Sequence, residues 1–387
     1  METTFVTPSV ATQQGRGEIV IKRLRILLLL AAVALFGTHR TLAANFAVGT
    51  CEPKLVSFST ISAAVAAVPS GSIIEVCPGT YPEQVTISKA LTLEGITSGT
   101  LNLAVITVPA GGLTANAPGY AAQVYVTAGP VNITNITVDG TGNDLGGSHL
   151  LAGIYYGAGA SGVIKDVTTR NQVNSGSGFG IVVNNTNSTS ESVTIEDCSV
   201  HDFDSVGIDL EGKLTATVKA NHVNASNATA MVFGIVVDSA GSITTNAVTG
   251  PGTLVESEGI FVLDASANIS DNIVTNWEFG IVDVAAASLT SNTVRNTTEA
   301  IFLEAAGATV ESNTITEALF IAIDFDCNTG TVKSNTINDA NTGLVSVPSA
   351  VVSTNTYFNV VETRSGGCSG EASSKVMPKR PPTPDRP

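Results

Sequence analysis

The chain is poor in charge, in aromatic rings and in long apolar runs. Charged residues make up 13% of its 387 positions, well below the usual quarter. Basic residues are the scarcer kind, with 18 Lys and Arg against 33 Asp and Glu and a net charge of −15. That deficit excludes nucleic acid and anionic membrane surfaces as partners, because both demand a basic footprint. It also repels a polyanionic glycan unless a cation stands between. Aromatics are 5%, with a single Trp, so little is available for exposed sugar platforms. The five cysteines show no metal-ligand spacing. The one long apolar run, Ile26 to Phe36, covers eleven residues and follows Lys22-Arg23-Leu24-Arg25. It is short for a bilayer span, and its basic flank reads as a secretory leader cut after Ala43 or Ala44. No later run reaches membrane-spanning length. The mature protein is therefore expected outside the cytoplasm (secreted, periplasmic or on the cell surface), without stable membrane insertion and as a monomer.

What the chain has in place of charge is a repeat. Gly259-Ile260-Phe261-Val262, Gly280-Ile281-Val282, Ala300-Ile301-Phe302-Leu303, Ala322-Ile323-Asp324-Phe325 and Gly343-Leu344-Val345 recur at steps of 21, 20, 22 and 21 residues. A second column opens on Asn272, Asn292, Asn313, Asn335 and Asn355, at steps of 20, 21, 22 and 20. Two columns keeping one period mean stacked units, each with an apolar face that only its neighbours cover. Within a unit the runs are short and β-branched, such as Ala308-Thr309-Val310-Glu311-Ser312, and read as strands. Some twenty residues hold two or three such strands but no crossover helix. The pattern predicts an all-β solenoid, a single right-handed parallel β-helix. The Gly or Ala column suits a tight bend. The Asn column suits corners at positive φ and stacks amide on amide. Triplets such as Asn132-Ile133-Thr134, Asn268-Ile269-Ser270 and Asn296-Thr297-Thr298 look like glycosylation acceptors, but a repeat rich in Asn and Thr generates them by itself.

Three segments follow. Residues 1–44 hold the extension and leader, 45–360 the β-helix, and 361–387 a Pro-rich tail expected to be disordered. A short helix from Ser59 to Val68, capped by Ser59 or Thr60, is expected to close the open N-terminal end of the sheet. Its Ile61, Ala64, Val65 and Val68 share one face. Cys51 and Cys77 bracket this cap and are read as a disulfide, with Cys327–Cys368 as a further pair and Cys198 as a buried thiol. Between Gly153, Gly180, Gly207 and Gly234 each step grows to 27 residues. The extra residues are expected in the loops Asp139 to His149, Arg170 to Phe179, His201 to Val206 and Asn221 to Met231, where function usually gathers.

The segment Ile73-Ile74-Glu75-Val76-Cys77-Pro78-Gly79-Thr80-Tyr81-Pro82-Glu83-Gln84-Val85-Thr86-Ile87, followed by Leu91-Thr92-Leu93-Glu94-Gly95, resembles the opening coils of the pectin-lyase-like β-helix superfamily. That superfamily includes pectin methylesterases, polysaccharide lyases, polygalacturonases and periplasmic β-helix maturation proteins. Its Gly-x-Tyr-x-Glu element (here Gly79, Tyr81 and Glu83) is shared with non-enzymes and marks the first coils. The resemblance implies the same fold and a carbohydrate-associated role. The enzymes' own motifs are missing. None of His39, His149, His201 and His222 stands in a Gly-His-Gly element. No Asp pair and Arg stand in a methylesterase context. Of the few basic residues that a lyase would use, Lys213 lies nearest an acidic cluster.

That cluster is His201-Asp202-Phe203-Asp204-Ser205-Val206-Gly207-Ile208-Asp209-Leu210-Glu211. Strand alternation sends Ile208 and Leu210 inward and Asp209 and Glu211 outward. Asp238, one coil on, occupies the same place after Gly234 that Glu211 occupies after Gly207. Coils about 4.8 Å apart make Glu211 and Asp238 neighbours. Carboxylates so paired suit glycoside hydrolysis, with Asp209, Glu211 and Asp238 as the catalytic candidates. Asp202, Asp204, Asp209 and Glu211 equally suit a Ca²⁺ site, or the group is a solvated acidic face. Beyond possible Ca²⁺ no cofactor is expected. His201, Asp202, Asp204, Lys213 and Trp277 are candidates for binding a polysaccharide, with Tyr155 and Tyr156 as further rings. Glu304, Asp324 and Asp326 form a lesser acidic group. Three functions stand: a non-catalytic surface, carbohydrate-associated or structural module; a divergent polysaccharide-acting enzyme, hydrolase before lyase; and a periplasmic accessory protein. The missing motifs favour the first.

Overall fold

A computed structural model describes residues 44–366 apart from 100, 144, 147, 229, 230, 255, 265 and 348–351. The expected leader, the Pro-rich tail and Cys368 lie outside the described residues. Within them, 33 strands join in one hydrogen-bonded sheet, and every strand pairing in it is parallel. Equivalent residues of successive coils pair, as the repeat requires. Ile260, Ile281, Ile301, Ile323 and Leu344 stand in one register column, and Val274, Val294, Ile315 and Ile337 in another. All are buried in a single apolar core that runs the length of the stack. Each such side chain contributes roughly 1.5–3 kcal/mol relative to exposure.

The glycine column owes its composition to close approach. A Cβ added at Gly207 would lie 2.6 Å from the Gly234 carbonyl oxygen of the next coil, so a larger residue would push the coils apart. The Asn column is a continuous ladder. From Asn221 through Asn246, Asn272, Asn292, Asn313 and Asn335 to Asn355, each backbone N–H and each Nδ2 donates to the next Oδ1 at 2.9–3.1 Å. Each Nδ2 also donates to a backbone carbonyl of the preceding coil at 2.8–3.0 Å. The positive-φ corner is not at these Asn residues, contrary to expectation. It falls one residue earlier, at Ala220, Thr245, Asp271, Ser291, Ser312, Ser334 and Thr354. Turning the chain there aims the following Asn inward, where both halves of its amide find partners along the stack. Cys198 takes the rung above Asn221 and donates its N–H to the Asn221 Oδ1 at 2.9 Å. It is a free, buried thiol, and burial pushes its pKa up to about 12.

The helix Ile61–Ala67 covers the first coil, with Ile61, Ala64 and Val65 buried. Its N-terminal donors are all taken. Thr60 Oγ1 accepts from Ala63 N–H at 3.1 Å, and the Glu83 carboxylate accepts from Ile61 N–H at 2.8 Å and Ser62 N–H at 2.9 Å. Tyr81 donates to the Cys77 carbonyl at 2.7 Å, and Cys51–Cys77 is a disulfide with its Cα atoms 5.7 Å apart. The Gly-x-Tyr-x-Glu element thus fastens the cap to the stack. At the other end the strand Glu362–Ser365 pairs with Thr342–Val345, so the coils run past the expected boundary at Val360.

On the outer face Glu311 and Lys333 stand in register with Oε2 and Nζ 3.1 Å apart and both side chains more than a third exposed. Exposed pairs contribute about 0–1 kcal/mol. Lys333→Ala is therefore expected to leave the melting temperature nearly unchanged in a thermal scan. A large drop would show that this pair carries more than a surface contact.

Candidate functional site

The strand Val206–Lys219 carries the acidic cluster through the coil. Ile208 and Leu210 enter the core, as alternation requires. Asp209 points to the outer face, yet it is 1% exposed. Its register column reads Tyr125, Tyr155, Val182, Asp209, Val236, Phe261, Val282 and Phe302. Most of these side chains belong to a second apolar cluster on the outer side of the sheet. Rows of large side chains at coil spacing shield one another, so "outward" does not mean "wet" here. The expectation of Asp209 as a substrate-touching acid is corrected: the residue is enclosed.

Glu211 and Asp238 are in register on adjacent coils, as expected, and Asn184 is in register with Glu211 on the other side. Asn184 Nδ2 donates to Glu211 Oε2. Glu211 is 9% exposed and Asp238 half-buried. The Tyr155 phenol beneath them has its pKa raised, first by burial and then by the charge of Glu211, with smaller contributions from Tyr125 and Asp209. It stays protonated at any physiological pH. Lys213 follows at the exposed end of this stretch, where its Nζ donates to the Ser188 carbonyl at 3.3 Å. The result is a row of hydrogen-bond acceptors, Glu211 and Asp238, edged by the Asn184 amide and one lysine.

The expected ring platforms are not at the surface. Trp277 is fully buried and donates its indole N–H to the Val248 carbonyl at 3.1 Å. Tyr156 is buried and donates to the Val131 carbonyl at 2.9 Å, and Tyr155 is 2% exposed. Surface rings that sequence reasoning missed are Phe358, 56% exposed, and Phe320, 59% exposed beside Leu319 at 49%. Thr297 pairs with Ala318 and Glu299 with Ile321, so one residue faces two and the bulge pushes Leu319 and Phe320 outward. The signal was the 22-residue step from Ala300 to Ala322.

The remaining candidates sit at a corner and serve it. Asp204 accepts from the N–H groups of Asn174, Gly176 and Gly178 at 2.7–2.9 Å, which fixes the loop of the preceding coil. Asp202 has a left-handed backbone; its carboxylate accepts from Asn227 Nδ2 and meets His201 Nδ1, each at 2.6 Å. Burial acts to raise the Asp202 pKa, but these hydrogen bonds bring it below the ordinary value. Two coils before, Asp139 meets Arg170 Nε at 2.8 Å and accepts from Asn171 and Thr141. Burial would raise its pKa, and the hydrogen bonds hold it at about 2 instead. Asp202 and Asp204 are thus engaged at the corner, while Asp209 and Glu211 lie along the following strand. The four do not converge as a Ca²⁺ set, and no group of three or more His, Cys, Asp or Glu among the described residues is arranged to hold a metal ion. In the lesser group, Asp324 is 5% exposed and accepts from Asp326 N–H at 3.1 Å, a turn contact. Asp283, which sequence reasoning passed over, is buried and accepts from the Ala285 and Ala287 N–H groups. It too shapes a turn.

A family model described as right handed beta helix region matches residues 233–376. Among curated proteins no sequence matches the chain. Among solved structures, the A-module of the mannuronan C-5 epimerase AlgE4 from Azotobacter vinelandii is similar with a TM-score of 0.51 at 16% identity, covering 81% of this chain and 94% of that one. The GH136 lacto-N-biosidase from Eubacterium ramulus is similar with a TM-score of 0.52 at 8% identity, covering 84% of this chain and 68% of that one. Likeness at such identity speaks to the fold alone, and the fold is a right-handed parallel β-helix. No helix among the described residues is long and apolar enough to cross a membrane.

Proposed function

We propose that this protein is an exported β-helix that binds a neutral polysaccharide across its outer face, with Glu211 and Asp238 as the central contacts. The observation that carries the reading is their in-register placement on adjacent coils, beside Asn184 and on a fold whose similar structures include a mannuronan epimerase and a lacto-N-biosidase. Carboxylates at coil spacing accept from sugar hydroxyls, which are donors and acceptors at once. The net charge of −15 disfavours a polyuronate, so the glycan is neutral. The leader-like run before Ala44 supports export. The same pair supports a second reading, glycoside hydrolysis, because two neighbouring carboxylates are its usual machinery.

The test is titration calorimetry with neutral oligosaccharides, alongside a reducing-end assay. A hydrogen bond to a charged group contributes about 1.5–3 kcal/mol. Glu211→Gln or Asp238→Asn is therefore expected to weaken binding about tenfold to a hundredfold while melting stays close to wild type. Variants that bind like wild type would refute the reading. Release of reducing ends by wild type, lost in both variants, would establish the hydrolase instead.

A further inference from the structure

Three coils enlarged at the same corner enclose a cavity of about 390 Å³. Asn171 lines it from one coil, Asp202 and Phe203 from the next, and Asn227 and Ala228 from the third, with Val173 at the rim. The volume falls at the small end of the roughly 300–1,000 Å³ typical of small-molecule sites. The wall's own hydrogen bonds decide what it can hold. Asn171 Nδ2 donates one N–H to Asp139 Oδ1 at 2.9 Å, and Asn227 Nδ2 donates one to Asp202 Oδ1 at 2.6 Å. His201 Nδ1 meets Asp202 Oδ2 at 2.6 Å. Asp204, also in the wall, accepts from three backbone N–H groups. Each amide keeps a second N–H, so the wall offers a ligand both donors and acceptors: one N–H and the oxygen of Asn171 and of Asn227, and the remaining lone pairs of Asp202.

A cavity that offers both donors and acceptors, with Val173 and Ala228 beside it, suits a molecule whose groups donate and accept hydrogen bonds and that also carries C–H surface. We infer that it holds a single neutral sugar ring, at a site separate from the Glu211 and Asp238 face. An anion is repelled by Asp202 and Asp204. A bare metal ion needs about six to eight close oxygens; the carboxylates are already engaged, and the cavity far exceeds an ion. An organic ammonium is the competing donor, and the test separates it.

The chain has four histidines, so the imidazole proton signals of the full protein are countable by NMR and His201 is assigned by His201→Gln. Free neutral hexoses and methylammonium are the probes. Millimolar hexose is expected to shift the His201 signal in wild type and equally in Glu211→Gln. Ala228→Phe fills the cavity and should abolish the shift. Val173→Trp narrows the half-exposed rim, tests the same point without touching the interior, and should weaken the response at least tenfold. Either variant is read only if its melting matches wild type. The inference is overturned if no hexose moves His201 in wild type, or if Val173→Trp responds like wild type. It is overturned in favour of an amine site if methylammonium alone produces the shift. Polysaccharide binding lost in Glu211→Gln is read separately by calorimetry, so failure here and failure of the outer-face reading are distinguishable.

Discussion

Ile301→Asp is expected to unfold the C-terminal coils. Ile301 is fully buried, and its register neighbours are Ile281 and Ile323. A carboxylate there has no partner and no water, and burying an unpaired charge costs several kcal/mol. In a stack each coil rests only on its neighbours, so damage spreads locally before it spreads globally. A thermal scan should show an early transition absent from wild type, and limited proteolysis should cut beyond residue 300 while the N-terminal coils stay protected. Ile301→Val keeps the column apolar and should cost only about 0.5–1.5 kcal/mol. A single late transition for Ile301→Asp would mean that this column is not the core.

Asn292→Ala should be strongly damaging, as should the same change at any interior rung of the ladder. Asn292 Oδ1 accepts from the backbone N–H and Nδ2 of Asn272, while its own Nδ2 donates to the Ile269 carbonyl and to Asn313 Oδ1. Truncation removes a hydrogen-bond partner from four buried groups, at about 1–3 kcal/mol for each one left unsatisfied. A loss of at least about 3 kcal/mol is expected in denaturant unfolding. Asn355→Ala, at the half-exposed last rung, should cost clearly less, because water reaches the orphaned groups there. Equal small losses at both rungs would show that the ladder is decorative.

The ladder also shows how far the sequence could be read. The period, the parallel pairing, the Asn stack, the capping helix and the Cys51–Cys77 bridge are all local or repeating signals, and each was legible. Repetition makes register arithmetic reliable, which is why Glu311 met Lys333 and Glu211 met Asp238. Side-chain exposure was not legible in the same way. Alternation tells inward from outward, but whether an outward side chain is wet depends on the size of its neighbours in the next coils. Asp209 is 1% exposed between Val182 and Val236, in a column that continues to Tyr155 and Phe261. Trp277 is buried because its indole N–H has a carbonyl to meet inside. The corner acids misled for a related reason. Asp204 looked like a ligand set member, and its backbone partners lie in another coil, some 26 to 30 residues away.

On the proposed function, the outer face that presents Glu211 and Asp238 takes a neutral chain and turns away an acidic one. Calorimetric titration of two oligosaccharides that differ only in oxidation at C6, a neutral hexose chain and its uronate counterpart, tests this most directly. At low salt the neutral chain should bind and the uronate should bind far more weakly. The gap should narrow at physiological salt, as screening weakens the repulsion. Tighter binding of the uronate at low salt, or no binding of the neutral chain at any salt, would contradict the account.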